Sequence, residues 1–226
     1  MKKQHMPVGY IEEPEINEFR RLLNLLLTHS QNTGGKIYLI TSAMQGEGKS
    51  TVSSFLAMSN ALYQGQNTIL ADFDLRRPTV HKLYDLPIQS GVSEILSDSI
   101  TLEKALKMSP NPNLEILTAG STAQTPLEMF TVSNLQRIET SLREKECMVF
   151  LDSPPIIPVS DTLLLSNFVD GILLVVKAGQ SQKKVVQRAI DMLQLNSNKL
   201  LGVVINNLEN ALPYYYSQSY YDYRYE

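Results

Sequence analysis

Short apolar runs recur at wide intervals along the chain, and each is continuous rather than alternating with polar residues. Such runs are typical of strands buried on both faces, since a half-exposed strand alternates apolar and polar positions. The longer stretches between them place apolar residues at three- and four-residue steps, which indicates amphipathic helices. This alternation predicts an α/β fold, a doubly wound and mostly parallel sheet with helices on both faces. The predicted strands are 36–42, 67–72, 114–118, 148–152, 171–176 and 200–206, and the predicted helices are 16–28, 49–64, 132–146 and 183–195.

Length and composition indicate one folded domain with two appended ends. The 226 residues are 43% hydrophobic, which is enough to build a sizeable core. The first 15 residues hold two prolines and few apolar anchors, and residues 211–226 are polar and lack periodicity. We therefore expect a domain over 16–210, preceded by a flexible segment (1–15) and followed by a disordered one (211–226).

Charge and cysteine content exclude several functional classes. The net charge of -3 lacks the strongly basic balance of a nucleic-acid-binding protein, so no nucleic-acid partner is expected. The single cysteine, Cys147, rules out a disulfide framework and fits a reducing cytosol. The apolar runs are much shorter than the roughly 20 residues of a membrane-spanning helix. The sequence thus predicts a cytoplasmic domain, which another protein would have to hold in place if it works at a membrane.

The segment 43–51, between the first predicted strand and the helix after it, has the form of a phosphate-binding loop. It reads A-M-Q-G-E-G-K-S-T and departs from the usual pattern only in starting with alanine instead of glycine. Gly46 and Gly48 let the backbone curl so that its N–H groups face an anion. Lys49 brings a positive charge to the β and γ phosphates, and Ser50 offers a hydroxyl to Mg²⁺. The segment predicts a P-loop NTPase fold, with nucleotide bound by Gly46, Glu47, Gly48, Lys49, Ser50 and Thr51.

Acidic residues end two of the predicted strands, at the edge where open α/β sheets bind their ligands. Asp72 ends the second strand, and Asp74 follows it; such a pair can serve Mg²⁺ and a nucleophile. Asp152 ends a run of four apolar residues, which is typical of a Walker B strand whose aspartate holds the metal, usually through water. A single aspartate at a strand end is more often a turn or helix-cap residue. Only the combination with the phosphate-binding loop predicts a magnesium–nucleotide site.

Three motifs together make a family resemblance specific. They are G-E-G-K-S over 46–50, D-x-D-x-R from Asp72 to Arg76, and D-S-P-P from Asp152. In this combination the chain resembles the bacterial tyrosine kinases, from about residue 16 to residue 226. These are P-loop proteins, unrelated to eukaryotic-type kinases, that carry a carboxyl-terminal tyrosine cluster. The resemblance implies a protein-tyrosine kinase that uses ATP and Mg²⁺.

The resemblance also implies a role for each motif residue. Lys49 and Ser50 would bind nucleotide and metal, and Asp72 would be the base for the tyrosine hydroxyl. Asn206 is expected at the end of the last strand, on the edge that carries the phosphate-binding loop, where residues of related folds help to read the adenine. The implied catalytic set is Asp72, Lys49 and Arg76, and the implied metal set is Ser50, Asp74 and Asp152.

Seven of the 11 tyrosines lie in the last 13 residues of the chain. Their neighbours are only Ser, Gln, Asp, Arg and Glu, so the alternatives are an aromatic tail that docks on a neighbour and an accessible phosphoacceptor. With the phosphate-binding loop in the same chain, phosphoacceptors are the prediction. Roughly twenty residues at about 3.5 Å each extend far enough to reach a neighbour's site. Cis or trans transfer stays open, and the resemblance favours transfer between subunits. The predicted acceptors are Tyr214, Tyr215, Tyr216, Tyr220, Tyr221, Tyr223 and Tyr225.

The resemblance further implies partners and a pathway. Family kinases of this size act with a membrane-spanning activator, a polysaccharide co-polymerase whose cytoplasmic tail completes the nucleotide site, and an opposing tyrosine phosphatase is expected. The implied pathway is capsule or exopolysaccharide synthesis and export, at the inner face of the membrane. In the family an early Glu-x-x-Arg-x-x-Arg motif supports a ring of subunits. Glu18 and Arg21 match it but Asn24 replaces the second arginine, so an oligomer is expected and a ring is left open.

The alternative is a partition or septum-positioning ATPase, which shares the fold and similar motifs. Those proteins typically carry a second lysine early in the phosphate-binding loop. This chain has Met44 at that position, which counts against the alternative.

Overall fold

A computed structural model describes residues 13–121, 125–194 and 199–207 of the chain. The strands in these ranges are β1 (Ile37–Ser42), β2 (Thr68–Asp72), β3 (Lys107–Met108), β4 (Leu114–Leu117), β5 (Met148–Asp152), β6 (Gly171–Lys177) and β7 (Leu200–Asn206). They form one sheet in the order β3-β4-β2-β5-β1-β6-β7. Each described pair of neighbours is parallel except β3 with β4. The predicted doubly wound, mostly parallel sheet is therefore confirmed.

Helices flank the sheet, and the four predicted ones are all present. The helices are α1 (Glu13–Thr33), α2 (Lys49–Tyr63), α3 (Val80–Leu83), α4 (Val92–Leu96), α5 (Leu102–Ala105), α6 (Pro126–Met129), α7 (Val132–Glu144), α8 (Asp161–Leu165) and α9 (Lys183–Gln194). No helix in the described part of the chain is long and apolar enough to cross a bilayer.

The first helix is longer than its apolar pattern predicts. It begins at Glu13, inside the segment predicted to be flexible, and ends at Thr33 instead of residue 28. Its end is set by Gly34, which has a φ of +74° and donates its N–H to the carbonyl oxygen of Ser30 at 2.8 Å. A glycine in this left-handed conformation is a common helix terminator. The polar last turn carries no apolar signal, so periodicity alone stops short of it.

Alternate side chains of each central strand pack on opposite faces of the sheet. Ile37 and Leu39 of β1 belong to a core cluster that includes apolar side chains of α4, α7 and α9. Tyr38 and Ile40 belong to a second cluster, formed with side chains of α1 and α2. Burial on both faces is the reason that the strands read as continuous apolar runs.

The strand order brings the predicted site residues to one edge of the sheet. In the parallel pairing of β2 with β5, Asp72 lies directly opposite Asp152. β1 lies between β5 and β6, and the phosphate-binding loop leaves its carboxyl end. The chain crosses from β1 to β2 on one side while β6 lies on the other, so this end of β1 is a topological switch point, where open α/β sheets bind ligands.

At the amino ends of the parallel strands, opposite the predicted site, Asp170 forms hydrogen bonds with the beginning of β1. Its Oδ2 accepts the N–H groups of Lys36 and Ile37 at 2.7 and 2.9 Å. Arg143 of α7 donates to both of its carboxylate oxygens, at 2.9 and 3.1 Å. Burial alone would raise the pKa of Asp170, but the hydrogen bonds from Arg143 and from the two N–H groups lower it overall. The carboxylate therefore stabilises the fold in its charged form.

We expect Asp170→Asn to lower the free energy of unfolding by about 2 kcal/mol at pH 7, because charge-assisted hydrogen bonds are lost. The folded-state pKa lies below its unfolded value, so this stabilisation is present above about pH 4 and lost as the pH falls through the folded pKa. Urea unfolding at several pH values measures the difference between variant and wild type. Asp98→Asn is the control, since Asp98 is exposed and its ion pair with Arg137 is long at 3.7 Å. A difference that stays constant down to pH 3 would contradict this assignment.

Candidate active site

The loop between β1 and α2 curls at two glycines. Gly46 and Gly48 have φ values of +83° and +95°, in the left-handed region that favours glycine. A Cβ on Gly46 would meet no atom within 4 Å, so the space beside this residue is open. α2 begins at Lys49, and its first N–H groups continue the cradle. Ala43, the departure from the usual pattern, is buried in the core and does not obstruct the loop.

The side chain of Glu47 is turned into the protein. It is 2% exposed, and its Oε2 accepts the N–H of Met44 at 2.7 Å while its Oε1 accepts the hydroxyl of Ser181. The Nδ2 of Asn206 donates to the carbonyl oxygen of Glu47 at 3.0 Å, and a Cβ on Gly48 would collide with this amide. Glu47 can therefore contact a nucleotide only through its backbone N–H. Asn206 lies at the predicted edge, but its amide is engaged with the loop.

The Lys49 ammonium lies at the centre of an acidic cluster. Its Nζ is 2.9 Å from Oδ2 of Asp74, 3.5 Å from Oδ1 of Asp152 and 3.2 Å from the hydroxyl of Ser50. Burial alone would lower the pKa of Lys49, but the surrounding carboxylates raise it overall, so the side chain stays charged. The three residues predicted to hold the metal thus converge on one cation.

The cluster also contains a carboxylate oxygen suited to a metal. The Oδ2 of Asp152 is buried and has no hydrogen-bond partner among the described residues. Burial raises the pKa of Asp152 overall, although the Lys49 charge and a hydrogen bond from Ser50 lower it. The described residues contain no group of three His, Cys, Asp or Glu side chains arranged to hold a metal ion. Mg²⁺ takes one or two carboxylates and completes its shell with water and substrate phosphates, and the Asp74 and Asp152 carboxylates beside the Ser50 hydroxyl are donors of the kind it takes.

Asp72 is fully buried beneath this cluster. Its Oδ1 accepts the N–H of Asp74 at 3.1 Å, and its Oδ2 accepts the N–H groups of Thr79 and Val80 at 3.0 Å each. Burial, followed by the nearby Asp152 carboxylate, raises the pKa of Asp72 to about 8, although the bonds from Val80 and Thr79 lower it. The carboxyl group is a stronger base than usual, but in this conformation it holds the turn after β2 and does not face solvent.

Arg76 is directed at a residue that no sequence motif identified. Its Nε and Nη2 donate to the two oxygens of Asp161 at 2.7 and 3.2 Å, and Asp161 is almost fully buried. The pair joins the turn after β2 to the first turn of α8. Asp161 and Ser181 lie outside the recognised motifs. Only the folded chain shows that Asp161 contacts Arg76 and that Ser181 contacts Glu47.

The remaining predicted residues lie away from this cluster of contacts or outside the described ranges. Thr51 is exposed in the first turn of α2. The seven predicted acceptor tyrosines lie outside the described residues.

No protein-family model matches the chain. The curated proteins with similar sequences, however, agree with one another in the function they are named for. The chain is 35% identical over 171 residues to the tyrosine-protein kinase YwqD of Bacillus subtilis, which covers 76% of this chain and 72% of that protein. It is 33% identical over 196 residues to the putative tyrosine-protein kinase CapB of Staphylococcus aureus, which covers 85% of each chain.

Solved structures agree with these relatives. The kinase domain of the Escherichia coli tyrosine kinase ETK matches 95% of this chain and 86% of its own, with a TM-score of 0.82 and 25% identity. The chimerical protein CapA2B2 matches 86% of this chain and 85% of its own, with a TM-score of 0.80 and 28% identity. A plasmid partition protein from Borrelia burgdorferi matches 76% and 78% with a TM-score of 0.60, and at 18% identity this likeness concerns the fold alone.

Substitution of the two loop glycines by alanine is expected to lower the stability of the protein by different amounts. We expect Gly46→Ala to lower the stability of the ligand-free protein by about 1 kcal/mol, the strain of a left-handed alanine. Gly48→Ala should cost clearly more, because the new methyl group also collides with the amide of Asn206. Calorimetric melting of the ligand-free variants measures both. Gly65→Ala is the control, with a φ of +62° and no atom near the added carbon. Equal melting temperatures for the Gly48 and Gly65 variants would refute the predicted collision.

Proposed function

Because the chain belongs to the bacterial tyrosine-kinase family, we propose that it transfers the γ-phosphate of Mg·ATP to tyrosine hydroxyls, including those of its own carboxyl-terminal segment. As a member of this family it is a protein-tyrosine kinase. The convergence of Lys49, Ser50, Asp74 and Asp152 beside an open phosphate-binding loop carries the proposal. Phosphoryl transfer depends mainly on positioning and charge neutralisation, and this cluster offers both.

In this proposal each group has a defined task. The N–H groups of the loop and of the first turn of α2 bind the phosphates, and Ser50, Asp74 and Asp152 hold Mg²⁺. The metal, when bound, neutralises charge on the β and γ phosphates. Lys49 now pairs with two of the metal-binding carboxylates. With those carboxylates engaged elsewhere, its ammonium is free to turn to the transferred phosphate.

We assign the larger share of catalysis to Lys49 and the metal, and the smaller share to a base. Asp72 stays the proposed base because the family resemblance implies that role. Its two oxygens, however, hold three backbone N–H groups, so it would have to release some of them to reach a tyrosine hydroxyl. Arg76 is proposed to assist from its position beside Asp161, and Asn206 is proposed to contribute to nucleotide binding through the loop that it contacts.

The family resemblance supports the partners and the setting. We propose a membrane-spanning activator that holds the chain at the inner face of the membrane, a homo-oligomer, and an opposing tyrosine phosphatase. The proposed pathway is capsule or exopolysaccharide synthesis and export. Similarity to CapB and to the chimerical protein CapA2B2 is consistent with a kinase that works beside a second protein.

A partition-type ATPase is the weaker reading. Its support is a shared fold at 18% identity. The two relatives described above, at 35% and 33% identity, are named as a tyrosine-protein kinase and a putative tyrosine-protein kinase. Met44 stands where partition ATPases typically carry their additional lysine.

The direct test is incubation with Mg·ATP, with and without the cytoplasmic segment of the activator, followed by phosphosite mapping. We expect phosphate on tyrosines between Tyr214 and Tyr225 in the wild type. Lys49→Met should abolish the labelling because the charge on the transferring phosphate is no longer balanced, and circular dichroism checks that the variant is folded. Lys104→Met, which changes an exposed lysine, is the control. ATP hydrolysis without any phosphotyrosine, even with the activator, would favour the partition-type ATPase.

The metal assignment has its own test. Asp74→Ala and Asp152→Ala should each weaken ADP binding in the presence of Mg²⁺, since each removes a ligand of the ion. In EDTA the affinity should be unchanged or higher, because a negative charge near the phosphates is gone. Isothermal titration in both conditions measures the two effects, with Asp191→Ala, an exposed position on α9, as the control. The same loss with and without Mg²⁺ would argue against metal binding by these residues.

A further inference from the structure

The phosphate-binding loop contains a buried carboxylate of its own. Glu47 lies between the two glycines that curl the loop, and burial of an anion is costly unless its oxygens accept hydrogen bonds. Both oxygens have a donor. One donor, the N–H of Met44, belongs to the loop, and the other, the hydroxyl of Ser181, comes from outside it. The conformation of the loop is therefore tied to a residue that lies 134 positions further along the chain.

The hydroxyl of Ser181 is oriented by the sheet. Its Oγ accepts the N–H of Lys177, the last residue of β6, at 2.8 Å. A serine hydroxyl has one hydrogen to donate, and with the N–H of Lys177 on an oxygen lone pair that hydrogen points to Glu47. The backbone N–H of Ser181 also donates to the carbonyl oxygen of Lys177 at 2.9 Å, which closes the turn before α9. The sheet thus holds Ser181, Ser181 holds Glu47, and Glu47 holds the N–H of Met44.

We propose that Ser181 is a positioning residue for the nucleotide phosphates. It keeps the Glu47 carboxylate turned into the protein, away from the open side of the loop, and so fixes the loop in the shape that accepts an anion. Without the hydroxyl, a buried oxygen of Glu47 loses its donor. The carboxylate then turns towards water or towards the loop N–H groups, where its negative charge opposes that of the phosphates. The inference rests on the proposed function only in taking the loop to bind nucleotide phosphates.

Loss of the Ser181 hydroxyl is expected to weaken the binding of the nucleotide phosphates and to leave the binding of the nucleoside unchanged. Ser181→Ala should weaken ATP and ADP binding about tenfold, the loss typical of one hydrogen bond to a charged group. Binding of adenosine, which has no phosphate, should not change. In the kinase assay KM for ATP should rise while kcat at saturating ATP stays near the wild-type value. Ser181→Thr keeps a hydroxyl and should restore most of the affinity.

Ser93→Ala is the matched control, because Ser93 is also buried and donates to a glutamate, Oε2 of Glu94, at 3.0 Å. It removes the same kind of hydrogen bond outside the phosphate-binding loop and should leave ATP affinity unchanged. ATP binding by Ser181→Ala as tight as wild type, or an equal loss for adenosine, would overturn the proposal. Should Ser181→Ala not fold, Ser181→Cys, whose thiol is a much weaker hydrogen-bond donor, must show the phosphate-selective loss, and its absence overturns the proposal equally.

The outcomes also separate this inference from the proposed function. Wild-type protein that binds ATP and labels its tyrosines, with Ser181→Ala indistinguishable from it, refutes the role of Ser181 alone. Wild-type protein that binds ATP without producing phosphotyrosine, even with the cytoplasmic segment of the activator, refutes the kinase. In that case the binding comparison between ATP and adenosine still decides the role of Ser181.

Discussion

Unbalanced negative charge at the ends of two neighbouring strands is the constraint on which the site depends. Asp72, Asp74 and Asp152 are buried together, and Lys49 interacts electrostatically with all three. Buried carboxylates are costly unless paired and hydrogen-bonded. One ammonium does not satisfy them, since Asp152 keeps an oxygen without a partner in the described structure and the pKa values of Asp72 and Asp152 are raised. The protein therefore maintains a site that favours additional positive charge.

The fold holds this charge in place through rigid elements. The register of β2 on β5 sets Asp72 opposite Asp152, and the N–H groups of the following turn fix the Asp72 carboxylate. Thr41 of β1 and Thr162 of α8 both donate to the carbonyl oxygen of Pro154, which anchors the loop after Asp152. These contacts fix the strand ends that carry the acidic groups before any ligand arrives.

Local patterns in the sequence predict most of the fold, because apolar runs and helical periodicity report burial directly. They miss β3, whose two residues form no apolar run, and the short helices α3 to α6 and α8, whose four or five residues are too few to show helical periodicity. The motifs place Lys49, Asp74 and Asp152 at one edge because each motif ends a strand or begins a helix. They do not reveal that the side chain of Glu47 faces inward or that Arg76 pairs with Asp161. Those contacts join residues 134 and 85 positions apart, and pairing at such distances leaves no mark in a local pattern.

The contact of Asn206 with the phosphate-binding loop has a mechanical consequence. Asn206 is the last residue of β7, and its amide donates to the backbone of Glu47 while Gly48 lies against it. The residues that carry the tyrosine cluster follow β7 directly in the chain. Tension on that part of the chain would load the end of β7, where the backbone carbonyl of Asn206 accepts the N–H of Ala178 and the side-chain amide contacts the loop. A force applied to the segment that follows β7 would in this way be transmitted to the phosphate-binding loop.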